Sequence, residues 1–187
     1  MSGDKKTTPP TSGSGGTPAI CTTAACPPNP AYAGYDKSKD VETYNCAGLA
    51  QRNYKYTGDV NDVKKELAKG KKIDCGDKCP PGNIKQWLWE YDVQLEDADG
   101  NRSPPNRDFH TVAGQVDQNG NDPTDVYSKN GARPVEGPGT GPSFKPKAKD
   151  QALSNDRNAT PGVDGQGRPI NKIRSNMTET CYCMPPP

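Results

Sequence analysis

Apolar side chains are concentrated between about residues 44 and 127 of this chain, whereas both flanks are polar and rich in proline and glycine. The clearest pattern is in residues 87–95, where large apolar groups occupy the odd positions, and this alternation predicts a strand. A second strand is predicted over residues 109–116, with His110 and Val112 on one face. The aromatic residues of the first strand are predicted to belong to the core: Trp87, Trp89 and Tyr91.

Turn-forming residues follow each of these strands. Asp99-Gly100-Asn101 predicts the turn after the first strand, and Asn119-Gly120 predicts a hairpin turn after the second. The second turn leads into a short third strand over residues 125–129.

Two helices are predicted before the strands. The less polar positions between Cys46 and Tyr54 recur at helical spacing, so this stretch predicts a helix that begins at the cysteine. A second helix has Asp59 as its cap and Gly70 as its stop, with three apolar residues on one side: Val60, Val63 and Leu67.

The flanks predict loops and tails. Residues 1–40 form a low-complexity Thr/Pro/Gly/Ser tail followed by a loop that contains Cys21 and Cys26. Residues 131–187 predict an extended wrap held down by cysteines near its end, which leaves one domain over residues 41–187.

Composition limits the core and the partners. Only 29% of the 187 residues are hydrophobic, and the formal net charge is +1 with both signs mixed along the chain. This balance gives no reason to expect a nucleic-acid or membrane partner. No apolar segment is long enough to cross a bilayer, and no secretory signal follows Met1.

Seven cysteines in so polar a chain predict covalent crosslinks that support a small core. An odd number leaves one outside any pairing scheme, and without Cys46 the other six form three close pairs in the sequence. We expect disulfides of unknown connectivity, except that Cys181 and Cys183 should not pair with each other because that bridge would be strained. A zinc site that includes Cys75 and Cys79 is the alternative. The six cysteines are Cys21, Cys26, Cys75, Cys79, Cys181 and Cys183.

The unpaired cysteine and the only histidine suggest a catalytic pair. A thiol attacks a carbonyl as thiolate, which a helix N-terminus stabilises and an imidazole can generate by taking the proton. Cys46 begins the first predicted helix, and His110 begins the second predicted strand. The residues therefore predict Cys46 as nucleophile and His110 as base.

The residues around Cys46 resemble a known family. Asn45-Cys46-Ala47-Gly48-Leu49-Ala50-Gln51 is similar to the Asp-Cys-Ser-Gly-Leu-Val-Gln signature of NlpC-type (papain-like) cell-wall cysteine peptidases. As in that family, a strand comes next, then a histidine at the start of a further strand, then a turn and a third strand. The resemblance covers residues 44–131 and implies an α+β fold, with helices packed on a small antiparallel sheet.

The resemblance also implies site residues. The family's third catalytic position is a polar side chain on the strand after the histidine strand, and Ser128 falls near it, with Asn130 and Gln115 as alternatives. Tyr44 and Asn45 are expected to contact the substrate. The family has an acidic residue where this chain has Asn45 and a hydroxyl group where it has Ala47. Because of these two differences, the resemblance does not fix the substrate.

The function expected from these observations is hydrolysis of amide bonds, with peptidoglycan peptides as the substrate that the resemblance implies. The chain would act without cofactor or metal as a monomeric secreted or periplasmic protein. It is expected to be a cell-wall remodelling enzyme or an exported antibacterial effector, the latter with an immunity or secretion-carrier partner. One alternative is a protein-directed protease, deamidase or acyltransferase that uses the same residues. Another is a non-enzymatic binding protein, crosslinked by disulfides or zinc, in which Cys46 is inert.

Overall fold

The computed structural model of the chain describes residues 45–52, 55–130, 135–152 and 162–186. These residues form two short α-helices, seven β-strands and one turn of 3-10 helix (Gly141–Phe144). The α-helices are α1 (Cys46–Ala50) and α2 (Val60–Leu67), and the strands are β1 (Lys71–Ile73), β2 (Ile84–Glu96), β3 (Asn106–Gln115), β4 (Val126–Ser128), β5 (Glu136–Gly139), β6 (Lys149–Gln151) and β7 (Asn171–Met184).

The larger of two sheets is antiparallel and has the strand order β1-β7-β2-β3. β6 also pairs with β7, near the start of that strand, whereas β1 pairs near its end. The register of β2 and β3 sets Trp89 opposite His110. Within the described ranges, the second sheet contains β4 and β5 alone.

The predicted fold class, an α+β papain-like core with helices packed on a small sheet, is wrong. Of the described residues, 42% are in strands and 13% in helices. The two helices are 5 and 8 residues long, whereas β2 and β7 extend over 13 and 14 residues. Short helices bury little apolar surface, so the antiparallel sheet supplies most of the core.

The prediction of an extended wrap over residues 131–187 also needs correction. Its last part forms β7, an inner strand of the larger sheet that pairs with β2 along its whole length. The alternating pattern is weak in the sequence because only Cys181 and Cys183 of this strand are buried. A strand that is half exposed at most positions gives little periodic signal.

The other predicted strands are confirmed. β2 and β3 include most of the two predicted segments, and β4 lies within the predicted residues 125–129. The predicted turn at Gly120 is present, since its amide donates to the Asp117 carbonyl at 3.1 Å. However, β4 pairs with β5 and not with β3, so this turn does not close a hairpin between neighbouring strands.

The helix predictions agree in position and differ in length. α2 is confirmed, including Asp59 as a cap whose side chain accepts from the Asn61 amide at 2.8 Å. α1 begins at Cys46 as predicted but ends at Ala50, and Tyr54 lies outside the described residues.

The two faces of the larger sheet bury different residues. On the tryptophan face, the side chains of Trp87, Trp89, Tyr91 and Val112 pack together with Val126 from β4. On the helix face, residues of β2 and β3 pack against the two α-helices, in a cluster that contains Cys46, Ala47, Val63, Leu67, Leu88 and Phe109.

Two disulfides attach the loop after β1 to the end of β7. Cys75 bonds to Cys181, and Cys79 bonds to Cys183, as expected for two cysteines that do not pair with each other. Because all four sulfurs are in disulfides, these cysteines are not zinc-binding thiolates. Cys21 and Cys26 lie outside the described residues.

Candidate active site

Cys46 is the first residue of α1 and carries a free thiol that is almost fully buried. Three backbone amides lie near enough to this thiol to lower its pKa: those of Thr111 in β3, of Ala47 and of Cys46 itself. The Thr111 amide shows that the sulfur lies beside the backbone of the histidine-bearing strand. Amide donors of this kind stabilise negative charge on sulfur or on a neighbouring oxygen.

Burial works against that stabilisation in the structure as it stands. Removal from water raises the pKa of the Cys46 thiol to about 11, and the nearby charge of Asp108 raises it further, although the amide of Thr111 acts in the opposite direction. Near neutral pH the sulfur therefore keeps its proton. A separate base is needed to remove that proton.

His110 lies in β3 with its imidazole on the tryptophan face. Its ring stacks on the Trp89 ring, with 6.0 Å between centroids and 15° between planes. Its Nε2 atom lies 2.9 Å from the Ser128 Oγ in β4. Stacking and hydrogen bonding together fix the direction of the ring, and only 4% of the residue is exposed.

The imidazole is neutral near physiological pH. Burial lowers the pKa of His110 to about 4, and the positive charge of Arg174 acts in the same direction. A neutral imidazole is the form that can accept a proton. When Nε2–H donates to Ser128, the lone pair of Nδ1 is the site for that proton.

The structure places the predicted nucleophile and base on different faces of the larger sheet, Cys46 on the helix face and the His110 imidazole on the tryptophan face. His110 carries the imidazole, and the next residue, Thr111, supplies the amide that contacts the Cys46 thiol. Within the described part of the chain, no hydrogen bond joins the thiol to the imidazole, and Nδ1 of His110 makes none. The thiol and the imidazole are therefore not in hydrogen-bonding contact in this structure.

Among the three residues considered for the third position, Ser128 is the one that contacts His110. Gln115 instead donates from Nε2 to the Gly82 carbonyl at 3.0 Å, and Asn130 is exposed. β4 can approach β3 closely because Gly114 has no side chain: a Cβ there would lie 2.8 Å from a Val126 methyl group. This close approach brings Ser128 within reach of the imidazole.

Asn45 has a structural role in this arrangement. Its Oδ1 atom accepts from the amides of Gly48 and Thr57 at 3.3 and 3.4 Å, and its Nδ2 atom donates to the Thr57 carbonyl at 2.6 Å. Both polar atoms of the side chain are therefore engaged within the protein. Tyr44, the other residue expected to contact substrate, lies outside the described residues.

Three features of the site were absent from the sequence interpretation. Thr111 contributes a backbone amide, a role that has no side-chain signature. Trp89 was expected in the core. Its stacking on His110 depends on the register between β2 and β3, which the sequence does not reveal. Asp108 was not singled out, and its effect on the thiol depends on the position of the strand relative to Cys46, which residue type does not reveal.

Comparison of the chain with family models, with curated proteins and with solved structures finds no match. No group of three or more His, Cys, Asp or Glu side chains that could hold a metal occurs among the residues described. In the same residues, no helix has the length and apolar character needed to cross a membrane. A functional assignment therefore depends on the geometry around Cys46, His110 and Ser128.

Proposed function

We propose that this protein is a cysteine hydrolase that cleaves amide bonds, with Cys46 as nucleophile, His110 as base and Ser128 as the residue that orients the imidazole. The observation that supports this proposal most strongly is that the Thr111 amide lies close enough to the Cys46 sulfur to lower the pKa of the thiol. The residue before Thr111 in β3, His110, carries a neutral imidazole that is oriented by Ser128.

The proposed reaction has two steps. In the first, Nδ1 of His110 takes the thiol proton, the sulfur attacks the substrate carbonyl, and the oxyanion accepts hydrogen bonds from the backbone amides at Cys46 and Thr111. The imidazolium then gives its proton to the leaving amine, and the C–N bond breaks to leave a thioester. In the second step, His110 removes a proton from water, and the water oxygen attacks the thioester carbonyl. The C–S bond then breaks to release the carboxylic acid, and His110 returns the proton to the sulfur.

Ser128 has a defined part in this scheme. Its Oγ accepts the Nε2 proton, which selects the tautomer with a free lone pair on Nδ1. The same bond becomes charge-assisted when His110 is protonated, so it stabilises the imidazolium that forms during attack. A serine can do this without becoming charged.

For the substrate, we propose the peptides of peptidoglycan, on the strength of the sequence resemblance around Cys46. The two disulfides are compatible with an extracellular or periplasmic protein. We place the activity there, as that of a monomeric remodelling enzyme or exported antibacterial effector that an immunity or carrier protein could accompany. A protein-directed protease, deamidase or acyltransferase would use the same residues on a different acceptor.

Mass analysis of products tests this proposal. The intact protein, Cys46→Ala and the surface control Ser143→Ala are incubated with purified cell-wall sacculi and, separately, with a panel of folded and unfolded proteins. We expect new fragments with the intact protein and the control, and none with Cys46→Ala, provided that its melting temperature matches. The substrate that yields fragments identifies the substrate class, and the fragment masses identify the cleaved bond. Fragments that persist in Cys46→Ala would contradict a nucleophilic role.

One observation favours a non-enzymatic function. Cys46 packs in an apolar cluster with Leu88 and Phe109, and burial raises the pKa of its thiol to about 11. A cysteine that serves only as a small core residue has these properties. In that case the protein is a disulfide-crosslinked binding protein, and substrates of every class remain intact in the experiment above.

A further inference from the structure

The four cysteines of the two disulfides lie close together at one end of the larger sheet. Cys181 and Cys183 are both buried and are separated by one residue of β7, so their side chains are on the same face, with about 7 Å between their Cα atoms. Their partners lie in the loop between β1 and β2, with Cα–Cα distances of 5.0 Å from Cys75 to Cys181 and 5.5 Å from Cys79 to Cys183. Ile73 packs beside both pairs. These residues therefore form one four-cysteine cluster.

The loop that carries two of these cysteines is also held by bonds that involve no sulfur. Lys85 of β2 is almost fully buried, and its Nζ atom donates to the carbonyl oxygens of Cys75 and Asp77, both at 2.8 Å. At the end of the loop, the Gly82 amide donates to the Val116 carbonyl at 3.2 Å. Opening of the disulfides breaks none of these bonds, so they keep the loop beside β7.

Positive charge surrounds the cluster. Cys183 lies directly opposite Lys71 in β1 and Lys85 in β2, and residues that are opposite each other in an antiparallel pair present their side chains on the same face. Asp122 neutralises part of this charge, since one of its carboxylate oxygens is 2.8 Å from the Lys85 ammonium group. Cations beside a thiol favour its thiolate form. The surroundings therefore suit a group of sulfurs that becomes negative.

We propose that the four-cysteine cluster, once its two disulfides are reduced, binds one Zn²⁺ ion through four thiolates. Zinc takes four sulfur ligands in a tetrahedron at about 2.3 Å, which sets the sulfurs about 3.8 Å from one another. Cysteines whose Cα atoms are 5.0 and 5.5 Å apart within each pair can supply that spacing by rotation of their side chains. Four thiolates select zinc over calcium and magnesium, which prefer oxygen ligands.

The change of state balances in electrons and protons. Each disulfide takes two electrons and two protons from a dithiol, which itself becomes a disulfide, and the protein is left with four thiols. Zn²⁺ then displaces four protons, and the resulting complex has a charge of −2. Exchange with an oxidised dithiol, together with uptake of four protons, re-forms both protein disulfides and releases the ion.

The consequence is that the loop stays attached to β7 in two different media. Disulfides make the attachment in an oxidising compartment, and zinc makes it in a reducing one, where disulfides do not persist. A chain that folds in a reducing compartment and is later exported therefore keeps the same contact between loop and sheet. This inference does not depend on Cys46 or on the proposed hydrolase function.

Metal titration of the reduced full chain tests the proposal. The protein is treated with a phosphine reductant, freed of reductant and metal without oxygen, and titrated first with Co²⁺ as an optical probe and then with Zn²⁺. We expect one ion per chain, with the visible absorption of tetrahedral cobalt thiolate, which Zn²⁺ then abolishes. Iodoacetamide labelling followed by peptide mass analysis locates the ligands, because zinc should protect only the four-cysteine cluster.

Cysteine variants identify the thiols that bind. In the reduced state, Cys75→Ser and Cys183→Ser each lack one ligand, and we expect zinc affinity to fall by about 100-fold or more. The double variant Cys21→Ser/Cys26→Ser is the control and should bind as tightly as the intact chain. Because all the proteins are compared after reduction, the loss of a disulfide is not a difference between them.

Lysine variants test the part played by the buried ammonium group. Lys85→Met keeps most of the side-chain volume but loses the bonds that hold the loop, so we expect zinc affinity to fall by about tenfold. Lys65→Met is the matched control, since that lysine is exposed on α2 and pairs with Asp62. Equal affinities in the two variants would contradict the role given to Lys85.

Three results would overturn the zinc site. They are a reduced chain that binds no ion, binding that persists in both Cys75→Ser and Cys183→Ser, and zinc protection of Cys21 and Cys26 in place of the cluster. If reduction unfolds the chain, added Zn²⁺ should restore a melting transition, and failure to do so would count against the site equally. None of these measurements involves a substrate, so the zinc site and the hydrolase are tested separately.

Discussion

The Nε2 atom of His110 lies 2.9 Å from Oγ of Ser128, although the two residues belong to different sheets. This bond joins β3 to β4, whose Val126 packs against Gly114 farther along β3. Together with the stacking on Trp89, it gives the only histidine of the chain a defined orientation. Its removal is therefore the first test of the site.

Ser128→Ala should lower hydrolysis by about 10- to 100-fold, because the imidazole loses the bond that fixes its tautomer and direction. The variant also leaves Nε2 without this partner in a buried place, at a cost of about 1–3 kcal/mol in the free energy of unfolding. Ser143→Ala is the control, since that exposed hydroxyl bonds to the Thr140 carbonyl away from the site. Activity and urea unfolding are measured on all three proteins. Full activity in Ser128→Ala would remove Ser128 from the mechanism.

The buried imidazole should make stability depend on pH in a specific direction. The pKa of His110 is about 4 in the folded protein against 6.5 for an ordinary histidine, so the unfolded chain binds the proton more readily between these values. The contribution of the neutral imidazole to the free energy of unfolding is complete above about pH 6.5 and is lost as the pH falls toward about 4. At pH 5 the loss is about 2 kcal/mol. The measurement is the difference in unfolding free energy between pH 7 and pH 5. In His110→Gln, which has no titrating group there, the pH 5 loss should shrink by that amount.

Gly48→Ala tests the packing that holds α1 in place. A Cβ at Gly48 would lie 2.9 Å from the backbone nitrogen of Lys55 and closer still to its carbonyl oxygen. Because this obstacle is backbone, the variant should lose about 2 kcal/mol or more of unfolding free energy. Gly76→Ala is the matched control, since nothing lies within 4 Å of its Cβ. Similar melting temperatures for the two variants would show that α1 does not pack as described.

Asn45→Ala distinguishes a structural role from a substrate contact. The substitution removes a helix cap and the bonds to Thr57, which predicts a loss of about 1–3 kcal/mol in the free energy of unfolding. Asn45→Asp keeps the oxygen that caps α1 and should recover part of this loss. Unfolding is measured for both variants together with KM. A raised KM with unchanged stability would instead support the substrate role expected from the sequence.

The sequence predicted the local structure well where a single segment contains the signal. The alternating residues from Trp87 to Leu95 identified β2, and Asp59 with Gly70 bounded α2. For the third catalytic position, the resemblance implied a residue near Ser128, with Asn130 and Gln115 as alternatives. The structure shows a contact between Ser128 and His110, and the role of Ser128 in catalysis stays a prediction.

The overall architecture could not be predicted in this way. β7 contributes an inner strand, yet its exposed and polar positions hide the alternation, and its partners in β2 lie far earlier in the chain, from Glu96 opposite Asn171 to Ile84 opposite Met184. The predicted fold class was wrong for this reason. Without β7 the sheet is small, and the two helices account for a larger share of the expected core. The roles of Thr111 and Asp108 depend on which amides of β3 face outward, and that is a property of strand pairing, not of residue type.

The rate at which Cys46 is alkylated by acetyl-tetraalanine chloromethyl ketone at pH 7, in the intact protein and in His110→Gln, tests the central claim most directly. If His110 takes the thiol proton during attack, the rate constant should fall by about 100-fold or more in the variant, because the thiol then has no base. The variant keeps a side chain that can bond to Ser128, so a change in folding is controlled by its melting temperature. Equal rate constants in the two folded proteins would show that the imidazole does not act on the sulfur, and Cys46 would then be a core residue without catalytic function.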